Sequence, residues 1–200
     1  MRLALAAATS LALAFPAAAQ SIDVPSGTYT IDQEHASVVW KISHLGFSDY
    51  TGMFGRDAID GTIELDAENV ANSTMTVTIN GQEVRTLHPG EKDFNAEIES
   101  AQFMNTAEFP EITFETTAIE VTGETTANVT GDLTVAGTTR PVTLETTLNR
   151  AAAHPMSGTP TLGITATGTI MRSEFGNEGL LGPIGDEVTI EIQAEFQHQG

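Results

Sequence analysis

Two ionisable side chains in this sequence of 200 residues share a face with apolar ones. In "VVWKISHLGFSDYTGMFG", residues 38–55, Val38, Trp40, Ile42 and His44 have one parity, Lys41 and Ser43 the other. Successive side chains of a strand point to opposite faces, so a strand here sets the His44 imidazole beside the valine, the tryptophan and the isoleucine. In "LGITATGTIMRSEFG", residues 162–176, Arg172 has the parity of Leu162, Ile164, Ala166 and Ile170. Arginine keeps its proton, so an inward one requires a paired carboxylate, other acceptors, or a wet cavity that a ligand headgroup completes. Each residue has a second reading. His44 could be a neutral histidine bonded to a backbone carbonyl; Arg172 could reach the rim or pair with Asp57, Asp60 or Glu174.

Little else in the chain has the spacing of catalytic or metal chemistry. Ser173 follows Arg172 but lies in no G-x-S-x-G elbow. His35, His44, His88, His154 and His198 are scattered, with no H-E-x-x-H among them, and no glycine-rich phosphate loop precedes a helix. The chain has no cysteine, which excludes thiolate metal sites, c-type haem attachment and disulfides. The expectation is therefore a non-enzyme without cofactor or metal.

Composition narrows the partners. Eight Lys and Arg face 27 Asp and Glu, a formal net charge of −19. Such a surface repels nucleic acid and anionic lipid headgroups. The acidic residues are scattered, as on a solvated surface. The first residues, "MRLALAAATSLALAFPAAAQ", combine Arg2, an apolar run from Leu3 to Phe15 and a small-residue site before Gln20. That is the pattern of a secretory signal peptide, 1–19, cut after Ala19, with one domain over 20–200. No later stretch has the length and apolarity of a membrane span.

The segments that must position His44 and Arg172 read as strands, rich in Val, Ile and Thr. Tyr29–His44 gives one long strand or two short ones, and Ile59–Leu65 another. Met75, Val77 and Ile79 alternate up to Asn80-Gly81, a hairpin signal. Ile112 to Val121, Val129 to Val135 and Val142 to Leu148 follow, with a turn at "AGTTRP" between the last two. Leu162–Ile170 and Val188–Phe196 complete about eight strands. Phe94, Ile98 and Ala101 suit one side of a short helix, and 149–161 reads as a loop. Alternation requires one protected face, which a sandwich or a closed barrel provides. Closure removes the edges of a sheet with few lysines to guard them. Gly168 would either leave room on the inner face or only bend the backbone, and Leu180, Leu181 and Ile184 in "GNEGLLGPIG" would form a lid or a plug.

Four separated stretches carry a family resemblance. "YTIDQEHASVVWKISHLGFSDYTGMFG", "SAQFMNTAEFPEITFETT", "VTGDLTVAGTTRPVTL" and the pair "GTIMRSEFG" and "GDEVTIEIQAEF" occur in one order over Gly27–Phe196. Together they resemble the YceI-like family of lipocalin-like, polyisoprenoid-binding proteins. The resemblance implies an all-β fold: an eight-stranded antiparallel lipocalin-like barrel, here with a short helical insertion. It also implies an apolar tunnel for a long isoprenoid chain such as a polyprenol or quinone tail, a periplasmic location and a homodimer. Two positions depart from the family pattern. The family usually has Arg-Asp and then His-Leu before the central segment, where this chain has Lys92-Asp93 and no histidine. Ala136 stands where a histidine is frequent. Both departures count against a histidine-lined headgroup site and leave the tunnel untouched.

The reading is a noncatalytic carrier or sequestering barrel. Shared phase makes Trp40, Ile42, Val77, Phe114, Ile164, Ile170, Ile190 and Ile192 the candidate ligand-binding wall. Phe54 joins it from the family opening, Gly168 as the gap, and His44 and Arg172 orient a polar end. Burial of a prenyl tail supplies roughly 0.8 kcal/mol for each CH₂. Two alternatives stand beside it: a closed-core structural or protein-interaction barrel, and a hydrolase on the same frame using Ser173 and His44.

Overall fold

A computed structural model describes residues 21–87 and 90–200. The signal segment expected at 1–19 and His88 lie outside the described residues. The strands are β1 (Gly27–Ile31), β2 (Ser37–His44), β3 (Ser48–Phe54), β4 (Ile59–Leu65), β5 (Thr74–Asn80) and β6 (Arg85–Thr86). After one short helix, α1 (Phe94–Glu99), come β7 (Glu111–Val121), β8 (Thr126–Val135), β9 (Thr138–Ala153), β10 (Pro160–Met171) and β11 (Ile184–His198).

Every pairing between the described strands is antiparallel, and the order β1–β4–β5–β7–β8–β9–β10–β11 returns from β11 to β1. The sheet is thus an eight-stranded closed barrel, as expected from the sequence. The shorter strands are halves of longer staves. β2 continues β1 along β11, with Ile31 opposite Phe196 and Val38 opposite Ile192. β3 pairs with β2 and β4 with β1, while β5 pairs with β4 and β6 with β3. Three neighbouring staves therefore bend, at residues 32–36, 55–58 and 81–84, whereas β7 to β11 run long and unbroken.

Local chemistry makes each bend. At the first, Asp32 Oδ1 accepts from Glu34 N–H at 3.0 Å and Asp32 Oδ2 meets His35 Nδ1 at 2.9 Å. At the second, Asp57 has φ 68 and Ala58 N–H donates to Gly55 O at 3.1 Å. At the third, Asn80 Oδ1 caps the Gln82 N–H at 3.1 Å. Asn80-Gly81 is therefore not the hairpin expected from the sequence. Such a turn needs positive φ at both central residues, but Asn80 has φ −72. The chain continues in the same direction into β6. A two-residue hairpin does form at Ala136-Gly137, with φ 47 and 74, between β8 and β9. The loop expected over 149–161 shrinks to 154–159, because β9 and β10 extend into it and pair from Pro160–Ala153 onward. Helix α1 begins where Asp93 accepts from Ala96 N–H at 3.0 Å, and Ala101 lies beyond it, exposed.

Alternation sends one side chain in two to the inside, where two apolar packs form. One gathers Tyr29, Phe54, Leu162 and Phe196; the other gathers Phe114, Leu133, Leu144 and Phe175. Met75, Val77, Ile112 and Ile192 border both. Tyr29 is fully buried, and its hydroxyl donates to Pro25 O at 2.7 Å.

Candidate functional site

The packs do not fill the barrel. A cavity of about 530 Å³ runs from the end where β2 stops and β11 starts, at His44, Leu180 and Ile184, to the end at Val70, Thr125 and Thr126. Its wall is aliphatic and aromatic; the ionisable groups Asp, Glu, Lys, Arg and His are represented in it by His44, Glu97 and Arg172. Ligand sites of this type are concave, apolar and carry a few placed polar groups.

The strands set the wall by phase and by cross-strand fit. Trp40 stands opposite Gly52, and a Cβ on Gly52 would lie 2.0 Å from Trp40 Cζ2. The indole thus lies flat over a residue with no side chain and faces the cavity with its other side. Trp40, Ile42, Phe54, Val77, Phe114, Ile164, Ile170, Ile190 and Ile192 all line the cavity. Gly168 does not, which corrects the expectation for it: a Cβ there would meet Leu144 Cδ2 at 2.6 Å. The gap left by this glycine is taken by a leucine from the neighbouring strand.

Arg172 lies at the rim end of the cavity and is 4% exposed. It opens a short 3₁₀ turn, Arg172–Phe175, just past β10. Its Nε donates to Gly185 O at 2.7 Å, Nη1 to Asn177 O and Oδ1 at 3.0 Å each, and Nη2 to Ile184 O at 3.2 Å. The inward phase read from the sequence is right, but the acceptors are none of Asp57, Asp60 or Glu174. They belong to the loop after the 3₁₀ turn, at Asn177, and to the start of β11, at Ile184 and Gly185, so Arg172 pins the two ends of that loop across the rim. Burial pushes the guanidinium pKa down, and the Asp186 charge opposes that. Asp186 itself takes Ser173 N–H at 2.9 Å and Ser173 Oγ–H at 2.7 Å, and these bonds hold its carboxyl below the usual range. The Ser173 hydroxyl, the nucleophile of the hydrolase alternative, is thereby donated to a carboxylate. His44 borders the cavity but is exposed at the rim, because β2 ends there. Leu180 and Ile184 of the loop line the cavity, while Leu180 and Leu181 also face solvent.

Sequence reading missed a polar group inside. Tyr50 faces the cavity between Trp40 and Phe94, with ring centroids 6.3 and 5.7 Å away. Its hydroxyl is buried and has no hydrogen-bond partner among the described residues, as is the case for Thr116 Oγ1 in the same wall. A buried unpaired hydroxyl is costly, so Tyr50 and Thr116 mark where a polar atom or water is accommodated. The signal was available in the parity that Tyr50 shares with Gly52 and Phe54. Helix α1 supplies Phe94, Glu97 and Ile98 to the wall, and Glu97 is ion-paired with Lys92. Outside the cavity, Asp32, His35 and Glu195 bring metal-ligand atoms within 4.8 Å of one another. There Asp32 Oδ2 is already shared between His35 Nδ1 and Gln197 Nε2, the latter at 2.8 Å. Among the described residues no helix is long and apolar enough to cross a membrane.

This geometry has counterparts. The YceI-like domain matches residues 29–196. Protein YceI of Escherichia coli O17:K52:H18 is 40% identical over 173 residues, 86% of this chain and 87% of its own. A UPF0312 protein of Pseudomonas savastanoi pv. phaseolicola is 37% identical over 191 residues, 94% of each chain. Among solved structures, Burkholderia cenocepacia BcnA superposes with a TM-score of 0.68 at 22% identity, covering 82% of this chain and 98% of its own. A polyisoprenoid binding domain from Saccharophagus degradans, implicated in plant cell wall breakdown, superposes with a TM-score of 0.63 at 15% identity, covering 86% and 98%. At these identities the solved structures speak to the fold.

Proposed function

The chain belongs to the YceI-like family, and we propose that its barrel binds a long isoprenoid lipid, such as a polyprenol or quinone tail, and carries or sequesters it in the periplasm without catalysis. The observation that carries this reading is the cavity: about 530 Å³ of mostly apolar space through the length of the barrel. A closed-core structural barrel would have filled it with side chains, since protein interiors are otherwise close-packed. An elongated apolar guest gains roughly 0.8 kcal/mol for each CH₂ it removes from water.

The polar groups suit a guest with one polar end. Tyr50, beside Phe94 of α1, has a hydroxyl without a partner among the described residues, and Arg172 orders the chain at the rim. The Saccharophagus degradans neighbour is described as a polyisoprenoid binding domain, which supports the same ligand class here. Native extraction of the purified protein followed by mass spectrometry tests the reading. A co-purified long-chain prenyl lipid, or saturable uptake of a prenol or quinone in titration, is expected. Empty protein that takes up neither refutes it.

A further inference from the structure

Seven large apolar side chains are conspicuously exposed among the described residues, and five of them lie at one end of the barrel. Leu45 and Phe47 form the β2–β3 turn, Met171 ends β10, and Leu180 and Leu181 sit in the β10–β11 loop. Phe47 is 90% exposed. The turn and loop are tied together, since Leu45 N–H donates to Pro183 O at 2.7 Å and His44 pairs with Ile184. This is the end at which His44, Leu180 and Ile184 border the cavity. At the opposite end the cavity is bordered by a mixture of apolar and polar residues, Val70, Val121, Ser73, Thr125 and Thr126.

The geometry points to this rim as a membrane-docking surface, a collar that rests on an uncharged or zwitterionic lipid bilayer while the tunnel exchanges its guest. The inference rests on the lipid-binding reading above. Two observations choose the bilayer over other occupants. First, the collar is continuous with the tunnel wall, because Leu180 is half exposed and also lines the cavity. A guest insoluble in water then passes from acyl chains to tunnel along apolar surface. Second, the apolar tips, residues 44–48 and 179–185, hold no Asp, Glu, Lys or Arg in a chain of net charge −19, and the charges Asp49, Glu178 and Asp186 begin only beside them. Uncharged apolar tips suit a neutral or zwitterionic interface, where exposed Leu and Phe side chains insert to the level of the headgroups. A second copy would bring the same large negative charge to the contact.

Vesicles of phosphatidylcholine alone, with the full purified protein, test the inference. The wild-type protein is expected to co-sediment with them, and Phe47→Ser with Leu181→Ser to lower the partition coefficient at least about tenfold. Neither residue lines the cavity, so uptake of a prenol diluted from detergent remains at the wild-type level. Circular dichroism and urea midpoints matching wild type confirm that the variant is folded, and each single substitution provides a milder version if it is not. Wild-type protein left in the supernatant overturns the proposal, as does undiminished binding of a folded variant. A wild-type dimer that the substitutions convert to monomer assigns the rim to a second copy and also overturns it. Failure to take up prenol from detergent counts against the ligand reading alone, while binding to the empty vesicles still reports on the rim.

Discussion

Gly52→Ala separates a hollow barrel from a filled one. The new methyl carbon would lie 2.0, 2.4 and 2.8 Å from Cζ2, Cε2 and Cη2 of Trp40. Carbon atoms settle at about 3.5–4.0 Å, so the indole must withdraw by roughly 1.5 Å. In a packed interior such overpacking costs about 1–3 kcal/mol. Here the far side of the indole borders the cavity. The ring has somewhere to go, and the expected loss of stability sits near the lower bound, about 1 kcal/mol. The displaced ring then occupies tunnel space. If it excludes two CH₂ groups of a prenyl guest, binding weakens by about 1.6 kcal/mol, somewhat more than tenfold. Trp40 is the only tryptophan in the chain, so its emission reports both events. Urea unfolding gives the stability, the emission maximum gives the ring's surroundings, and quenching by a prenylated quinone gives affinity. A stability loss above about 3 kcal/mol with unchanged quinone affinity would mean that solid protein lies behind the indole, and the reasoning would fail.

Further expectations concern the rim, the wall and the first bend. Arg172→Met leaves the carbonyls of Gly185, Ile184 and Asn177 without their donor. It should cost about 2–4 kcal/mol in urea unfolding and make the 176–185 loop the first site of limited proteolysis. Tyr50→Phe removes a buried hydroxyl that has no partner among the described residues. It should leave the empty barrel as stable as wild type or slightly more so, while weakening a guest with a polar head more than a plain hydrocarbon of equal length in parallel titrations. The Asp32–His35 pair raises the histidine pKa above its ordinary 6.5 and lowers the aspartate pKa below its ordinary 3.8. The His35 contribution is complete below about pH 6.5 and is lost as pH rises through the raised value; the Asp32 contribution is complete above about pH 3.8 and is lost as pH falls through the lowered value. His35 is exposed, so His35→Gln should remove less than about 1 kcal/mol and flatten the profile of urea midpoint against pH at its upper end, and to a lesser degree at its acid end, since His35 is also the main cause of the lowered Asp32 value.

Alternation of Val, Ile and Thr with polar residues made the strands and the inward wall legible, because period two fixes the face of each side chain wherever one face is buried. Trp40, Ile164 and Ile192 face the cavity for that reason. What alternation does not encode is which neighbour fills a gap. Gly168 read as open space, yet Leu144 from the adjacent strand enters it. Asn80-Gly81 read as a reversal, yet Gly81 packs where a Cβ would lie 2.9 Å from Thr106 Cγ2, a contact from 25 positions further along the chain. Arg172 lies on the face its phase indicates, but its acceptors, backbone carbonyls at the start of β11 and Asn177 in the loop before it, are brought to it by a loop path that no periodicity describes. His44 kept the expected phase and still emerged at the surface, since phase says nothing about where a strand stops. Tyr50 was readable by parity, but tyrosine in a wall of mixed residues gives no warning that its hydroxyl lacks a partner.

The seam of the barrel joins the first stave, β1 and β2, to the last, β11, from Tyr29 opposite His198 to His44 opposite Ile184. Every other pairing can form between staves that follow one another along the chain, so this contact has the greatest loop-closure entropy to overcome. Until it forms, the structure is a curled ribbon whose greasy side is open along its whole length. A cargo molecule already lying in that trough would be zipped inside without passing either end, so folding in the presence of lipid offers a second way to obtain the loaded barrel.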